Sequence, residues 1–379
     1  MDTVGRLDRL RHFMAEEGIA ASLIVDSDNQ FYMSGFKAVI YSRPILLFVQ
    51  EDRTSIIVPG LEEAHASGEQ AADEILVYYE HPEMAQFGKS HLEHLDKLLG
   101  SLPSGAKIGI EMDRCPTALT SYVESSGFAL SDIGRRLVEM RYVKAEEEIQ
   151  QMTEAGRLVN LAVSESIAAC RPGITELDID ARGNAKLFEE TARSHPGATL
   201  DAMGMSPSGP ERSAWPHVFS NTRRIQQGDV IVHSRQVALE GYRAELERTV
   251  FVGEVSAEQE MAFEAARASH KVAMDFIQPG VTAAQVDDIS REVLRAAGFG
   301  EYAIHRVGHG LGISAHEEPY LRFDNELVLE EGMVYTIEPG IYIPGLGGFR
   351  HSDTVVLTSQ GNRAITKYPA DLASLTVNS

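Results

Sequence analysis

One short turn occurs twice in this chain. Pro172-Gly173-Ile174-Thr175 recurs as Pro279-Gly280-Val281-Thr282, 107 residues further on. Each copy closes one helix-like segment and opens another, because proline and glycine stop a helix and threonine caps the next. Thr175 has Asp178 three residues on and Thr282 has Gln285, the spacing of a capping box. A period of 107 residues is too long for a stacked solenoid. The recurrence predicts one domain made of two similar halves; the alternative is chance repetition of a common turn.

Upstream of the first copy the pattern is different. Leu7, Leu10, Phe13 and Met14 have helical spacing, and Gly18 ends that helix. Strand-like runs at 21–25, 45–49, 55–58, 74–79 and 107–111 then alternate with helical stretches at 90–100 and 117–126, which predicts an α/β domain. The charged stretch 133–146 reads as a joint. The expected division is therefore 1–135, an α/β domain, and 136–379, a pseudo-symmetric second domain. Gly and Pro clusters at 204–216 and 339–348 are expected to be loops.

Charge narrows the function classes. The chain carries 34 basic and 56 acidic residues, a net charge of −22, which repels nucleic acid and anionic membranes. An anionic substrate needs its own local arginines. No run approaches a membrane-spanning length, and Met1 to Gly18 lacks the apolar core of a signal peptide. Cys115 and Cys170, far apart and without metal-site spacing, fit a reducing cytoplasm.

Candidate chemistry gathers in the second half. Asp229 to Val232 and Ala244 to Val252 read as a hairpin returning at Gly241-Tyr242. Period two places Arg243, Glu245 and Glu247 on one face, which suits a polar cavity; a solvent-facing strand is the alternative. His217 follows Trp215-Pro216 in a loop. His305 and His309 sit in HRVGHGLG, His316 in SAHEEP, and Glu338 opens an EPG turn. A loop histidine can serve as acid or base near neutral pH, although structural histidines are commoner.

The stretch 228–249, GHGLG at 308–312, IEPG at 337–340 and GGFR-x-x-D at 347–353 together resemble the creatinase/aminopeptidase P/prolidase family, the proteins of the pita-bread fold. The resemblance spans nearly the whole chain. It implies an N-terminal α/β domain and a catalytic domain of two pseudo-symmetric halves, an α/β (α+β) fold class. Metallopeptidases of that family hold two ions with five side chains. Their positions fall here on Ser234, Glu245, His309, Glu338 and Ser352. Two carboxylates have become hydroxyls, so too few anions remain for two dications. One ion on Glu245, His309 and Glu338 is the remaining metal option.

The pattern is closer to creatinase, the family member that works without metal or other cofactor. By that resemblance His217 is the acid/base and Glu247 and Glu338 grip a guanidinium. Arg43, of an Arg-Pro pair, and Arg322 hold a carboxylate, with Arg43 reaching the neighbouring subunit of a homodimer. Tyr41, Arg243, Glu245, His309 and His316 complete the substrate pocket. The expected activity is metal-independent hydrolysis of a C–N bond in a small carboxylate-bearing guanidino compound such as creatine. A metal-dependent Xaa-Pro peptidase and a non-catalytic peptide-binding module are the alternatives.

Overall fold

The structure, a computed structural model, describes residues 2–40, 42–69, 72–84, 86 and 88–378. It forms two compact units, Met1–Arg141 and Tyr142–Ser379. The division falls a few residues beyond the expected 135, because the stretch read as a joint begins with a short helix of the first unit.

The first unit is an α/β layer structure. Helices α1 (Thr3–Glu17), α2 (Ser27–Ser34), α3 (Glu63–Gly68), α4 (His91–Leu99), α5 (Thr117–Ser125) and α6 (Gly134–Glu139) alternate with six strands. These are β1 (Ile19–Ile24), β2 (Leu46–Gln50), β3 (Thr54–Pro59), β4 (Glu74–Tyr78), β5 (Lys107–Ile110) and β6 (Ala129–Asp132), in the sheet order β4-β3-β2-β1-β5-β6. Helix α1 stops at Gly18, whose φ of 64° is the left-handed cap that glycine adopts freely. Leu23, Phe48, Ile57, Leu95, Ile108 and Val123 are fully buried in its core.

The second unit begins with the helical pair α7 (Glu146–Ala169) and α8 (Glu176–Ser194), then β7 (Leu200–Met205), α9 (Gly209–Arg212), β8 (Val230–Leu239) and β9 (Tyr242–Val252). A second pair follows, α10 (Ala257–Phe276) and α11 (Ala283–Ala296). The last strands are β10 (Gly308–Gly310), β11 (Glu317–Leu321), β12 (Val334–Ile337), β13 (Gly340–Ile343), β14 (Gly347–Arg350), β15 (Ser352–Thr358), β16 (Gly361–Ala364) and β17 (Thr376–Val377). The large sheet runs β11-β10-β12-β15-β9-β8-β7, with β16 on β15 and β17 on β9. The expected loop at 339–348 is instead largely a hairpin, β13–β14, turned by Pro344-Gly345.

The two Pro-Gly turns make matching bonds, so their recurrence is structural. Both glycines have left-handed φ, 92° and 96°. Gly173 N–H donates to Ile225 O and Gly280 N–H to Leu329 O, at 2.8 and 2.9 Å. Thr175 and Thr282 each close a capping box at the start of α8 and α11. Each turn thereby docks on the chain just ahead of a central strand, β8 in one half and β12 in the other. The β8–β9 turn consists of Glu240 and Gly241, with φ of 49° and 85°. Two positive values are the hairpin turn that matches strand twist, one residue earlier than expected. Among the described residues no helix is long and apolar enough to cross a membrane.

Candidate active site

Cross-strand register assembles the site. Ser234 on β8 faces Glu247 on β9, Gln236 faces Glu245, and Ser352 on β15 faces Glu247 from the other side. Opposite residues on adjacent strands lie close enough for side chains to interact. Glu245 and Glu247 are 4% and 2% exposed, so the charged face expected on β9 lines an interior. The solvent-facing alternative does not hold.

The remaining groups come from the second half. His309 is carried by β10, flanked by Gly308 and Gly310. A Cβ at Gly308 would collide with the Thr336 carbonyl, and one at Gly310 would lie 2.6 Å from the Glu318 oxygen. Close backbone packing, not turn geometry, is what the GHG sequence serves. His309 Nδ1 donates to Gly310 O at 2.9 Å, which leaves Nε2 directed elsewhere. Nε2 is buried, 3.2 Å from Glu338 Oε1, with no aligned hydrogen-bond partner. One ligand atom from each of Glu245, His309 and Glu338 lies within 4.8 Å of the others.

These carboxylates are not equivalent. Burial pushes Glu245 up to about 8, reinforced by Glu247 and Glu338. Its oxygens accept from Ser352 Oγ at 2.9 Å and Gln236 Nε2 at 3.2 Å. Burial also opposes ionisation of Glu338, but His309, Arg350 and His305 outweigh it and hold its pKa below the usual carboxylate range. His309 is raised in return: burial acts against its charge and Glu338 prevails.

Glu247 has a resident cation. Arg350 NH2 donates to its Oε1 at 2.7 Å, and Nε lies 2.5 Å from Oε2. The guanidinium also donates from NH1 to the Tyr342 hydroxyl (2.9 Å) and the Pro216 carbonyl (3.3 Å). Burial disfavours its charge, yet Glu247, Tyr342 and Glu338 keep Arg350 protonated, well above the ordinary value. Through Pro216 it fixes the loop that carries His217. Tyr342 OH in turn donates to His305 Nε2 at 2.9 Å, while Nδ1 donates to Arg306 O.

His217 and His316 stand at the exposed rim, ring centroids 6.4 Å apart. His316 stacks on His309 at 3.9 Å. Desolvation and Arg350 lower the pKa of His217, which favours its neutral form. Desolvation and neighbouring His309 push His316 down to about 4.

Other expected site residues lie differently. Arg243 is tied to Asp201 (2.7 Å), Ile313 O (2.9 Å) and Gln236 Oε1 (3.3 Å), bracing the loop before His316. Arg322 pairs with its neighbour Asp324 at 2.5 Å and is about half exposed. Arg43 lies in the first unit, paired with Glu80 at 2.8 Å. Tyr41 lies outside the described residues. The sequence reading passed over Gln236, Arg306, Tyr342 and Arg350. Arg350 was within reach, since it belongs to the quoted GGFR motif.

Residues 150–359 match the model of metallopeptidase family M24, and residues 6–143 match the creatinase/prolidase N-terminal domain. The chain belongs to metallopeptidase family M24. The Xaa-Pro dipeptidase of Pyrococcus furiosus is 31% identical over 97% of this chain and 99% of its own. Among solved structures, the prolidase of Thermococcus sibiricus superposes with a TM-score of 0.86 at 26% identity, covering both chains completely. Dipeptidase PepE of Mycobacterium ulcerans gives 0.84 at 29%, again over both whole chains.

These relatives overturn the expected metal-independent, creatinase-like hydrolysis of a guanidino compound. Full-length similarity at this level is to Xaa-Pro dipeptidases. The site offers a physical reason as well. The guanidinium clamp assigned to Glu247 is already filled by Arg350, an arginine of the chain itself.

A two-ion centre nevertheless does not fit these residues. Ser352 donates to Glu245 and Ser234 bonds Glu247, so neither supplies an anion. One ion does fit. The Glu247–Arg350 pair is neutral overall, and once an ion displaces the protons of Glu245 and His309, the two carboxylates supply two negative charges beside a neutral imidazole. The buried, unpartnered His309 Nε2 is the donor such an ion uses, with Nδ1 fixed by a carbonyl.

Proposed function

We propose that this chain is a peptidase that hydrolyses the C–N peptide bond of small Xaa-Pro-type dipeptides, using one divalent cation held by Glu245, His309 and Glu338. The observation that carries this reading is the convergence of those three ligand atoms within 4.8 Å. A cation bound there supplies Lewis-acid polarisation of the scissile carbonyl and acidifies water. Binding also displaces the proton of His309, so affinity rises with pH. Neutral His217 accepts a proton from the attacking water and returns it to the leaving nitrogen. Arg350 holds the Pro216 carbonyl and thereby sets where His217 stands.

A homodimer in which Arg43 reaches a neighbouring site belongs to the same reading, and native mass checks it. The free thiols Cys115 and Cys170 support a reducing, cytoplasmic setting.

The test pairs metal analysis with activity. Expected are about one manganese, zinc or cobalt ion per chain, hydrolysis of Ala-Pro, and loss of that activity on chelation. Creatine hydrolysis that survives chelation would reject the reading. A second reading, a non-catalytic peptide-binding module, is favoured by Ser234 and Ser352; dipeptide binding without turnover at any metal concentration would select it.

A further inference from the structure

Among the described residues Arg306 is paired with no acid. It lies beside the site in a chain with a net charge of −22. Its guanidinium packs on the Tyr320 ring, 4.2 Å from the centroid. NH2 lies 3.3 Å from His316 Nδ1. Nε is buried and has no hydrogen-bond partner. No carboxylate of the described residues lies within salt-bridge distance of it, whereas Arg322, Arg350 and Arg243 are all paired with acids. A half-buried guanidinium left unpaired among so many acids loses hydration without recovering it. Its charge also lowers the pKa of both His217 and His316, which places it within electrostatic reach of the site's rim.

The position fits one part of a dipeptide. His316 stacks face on with His309 at 3.9 Å, and Arg306 NH2 lies 3.3 Å from the Nδ1 of His316. One imidazole therefore separates the cation-binding histidine from the free guanidinium. A dipeptide whose scissile carbonyl sits at the Glu245–His309–Glu338 cluster carries its terminal carboxylate a few ångströms beyond the leaving nitrogen. We propose that Arg306 receives that carboxylate and so restricts the site to substrates ending one residue past the scissile bond. The role expected of Arg322 thus passes to Arg306, because Asp324 already occupies Arg322. Planar guanidinium and planar carboxylate pair through parallel N–H···O bonds, and stacking on Tyr320 fixes the plane beforehand.

This proposal rests on the peptidase reading, and its test separates the two. Binding of Ala-Pro and of Ala-Pro-amide is measured by calorimetry, and turnover of both alongside, for the wild type, Arg306→Met, Arg306→Lys and Arg322→Met. The wild type is expected to prefer the free acid by roughly 10–100-fold in Kd and kcat/KM. Arg306→Met loses that preference, weakening the acid and leaving the amide within about 2-fold; Arg306→Lys recovers part of it, and Arg322→Met keeps it. An equal loss for acid and amide, or a preference that survives Arg306→Met, overturns the role of Arg306 while the peptidase reading stands. Failure of the wild type to bind either ligand overturns both.

Discussion

Two carboxylates in one cavity, Glu245 from the first half of the second unit and Glu338 from the second half, live under opposite electrostatics. Glu338 meets His309 and is held ionised; Glu245 is surrounded by Glu247, Glu338, a serine and an amide, and rises to about 8. On the first half's side, Ser234 and Gln236 of β8 face the two acids of β9 with neutral donors, and Glu247 is paired with Arg350. One cavity thus holds one acid chiefly by charge and the other chiefly by hydrogen bonds. What a position offers an ion depends on which neighbours already use its lone pairs.

The most disruptive way to probe that contrast is Arg350→Met. It strands Glu247 as an unpaired buried acid and frees the Pro216 carbonyl. Expected is a loss of about 3–5 kcal/mol in denaturant unfolding; a loss below about 1 kcal/mol would show that Glu247 is neutral in the fold. Arg350→Met with Glu247→Leu should recover much of the loss, since both charges are then gone.

Next comes the direct comparison of the two acids. Glu338→Gln should weaken cation binding by roughly 100-fold, and Glu245→Gln by roughly 10-fold, because Glu245 already serves Ser352 and Gln236. Cation titration of the two variants reads the order. The reverse order would place the site's charge on the first half.

The smallest effect is a pH dependence tied to His305. Burial, only partly offset by Glu338, pushes its ring down to about 4, and Tyr342 and the Arg306 carbonyl hold it neutral. The unfolded ring takes a proton near 6.5. Stability from this group is therefore full above that pH, falls as pH drops toward 4, and falls no further below. The contribution is at most about 3 kcal/mol. Urea midpoints between pH 7 and 4 should fall less steeply in His305→Gln than in the wild type; identical slopes would assign the acid sensitivity elsewhere.

Much of the architecture was readable from local signals. Helix α1, the strands of the first unit, and both capping boxes follow from periodicity and cap chemistry that act within a few residues. The pair of Pro-Gly turns predicts two halves, with chance repetition the alternative, and the matching bonds of Gly173 and Gly280 decide for the halves. The hairpin β8–β9 is likewise legible, but period two leaves the cavity face and a solvent-facing face of Glu245 and Glu247 both open, and only their burial decides for the cavity. The loop at 339–348 was misjudged because glycine and proline mark turns and edge strands alike, and only pairing of Ile341 with Phe349 tells them apart.

The residue types at the five positions that the family resemblance marks as ligands are written in the chain, and two hydroxyls among them leave too few anions for two dications. Partners do not come from it. That Glu247 is held by Arg350, 103 residues away, that Glu245 shares its oxygens with Ser352, and that Arg306 packs on the Tyr320 ring are properties of packing. Local sequence sets which charges exist, because side-chain chemistry is covalent. Tertiary structure decides which of them are already satisfied, because Coulomb and hydrogen-bond energies depend on distances that only the folded chain defines.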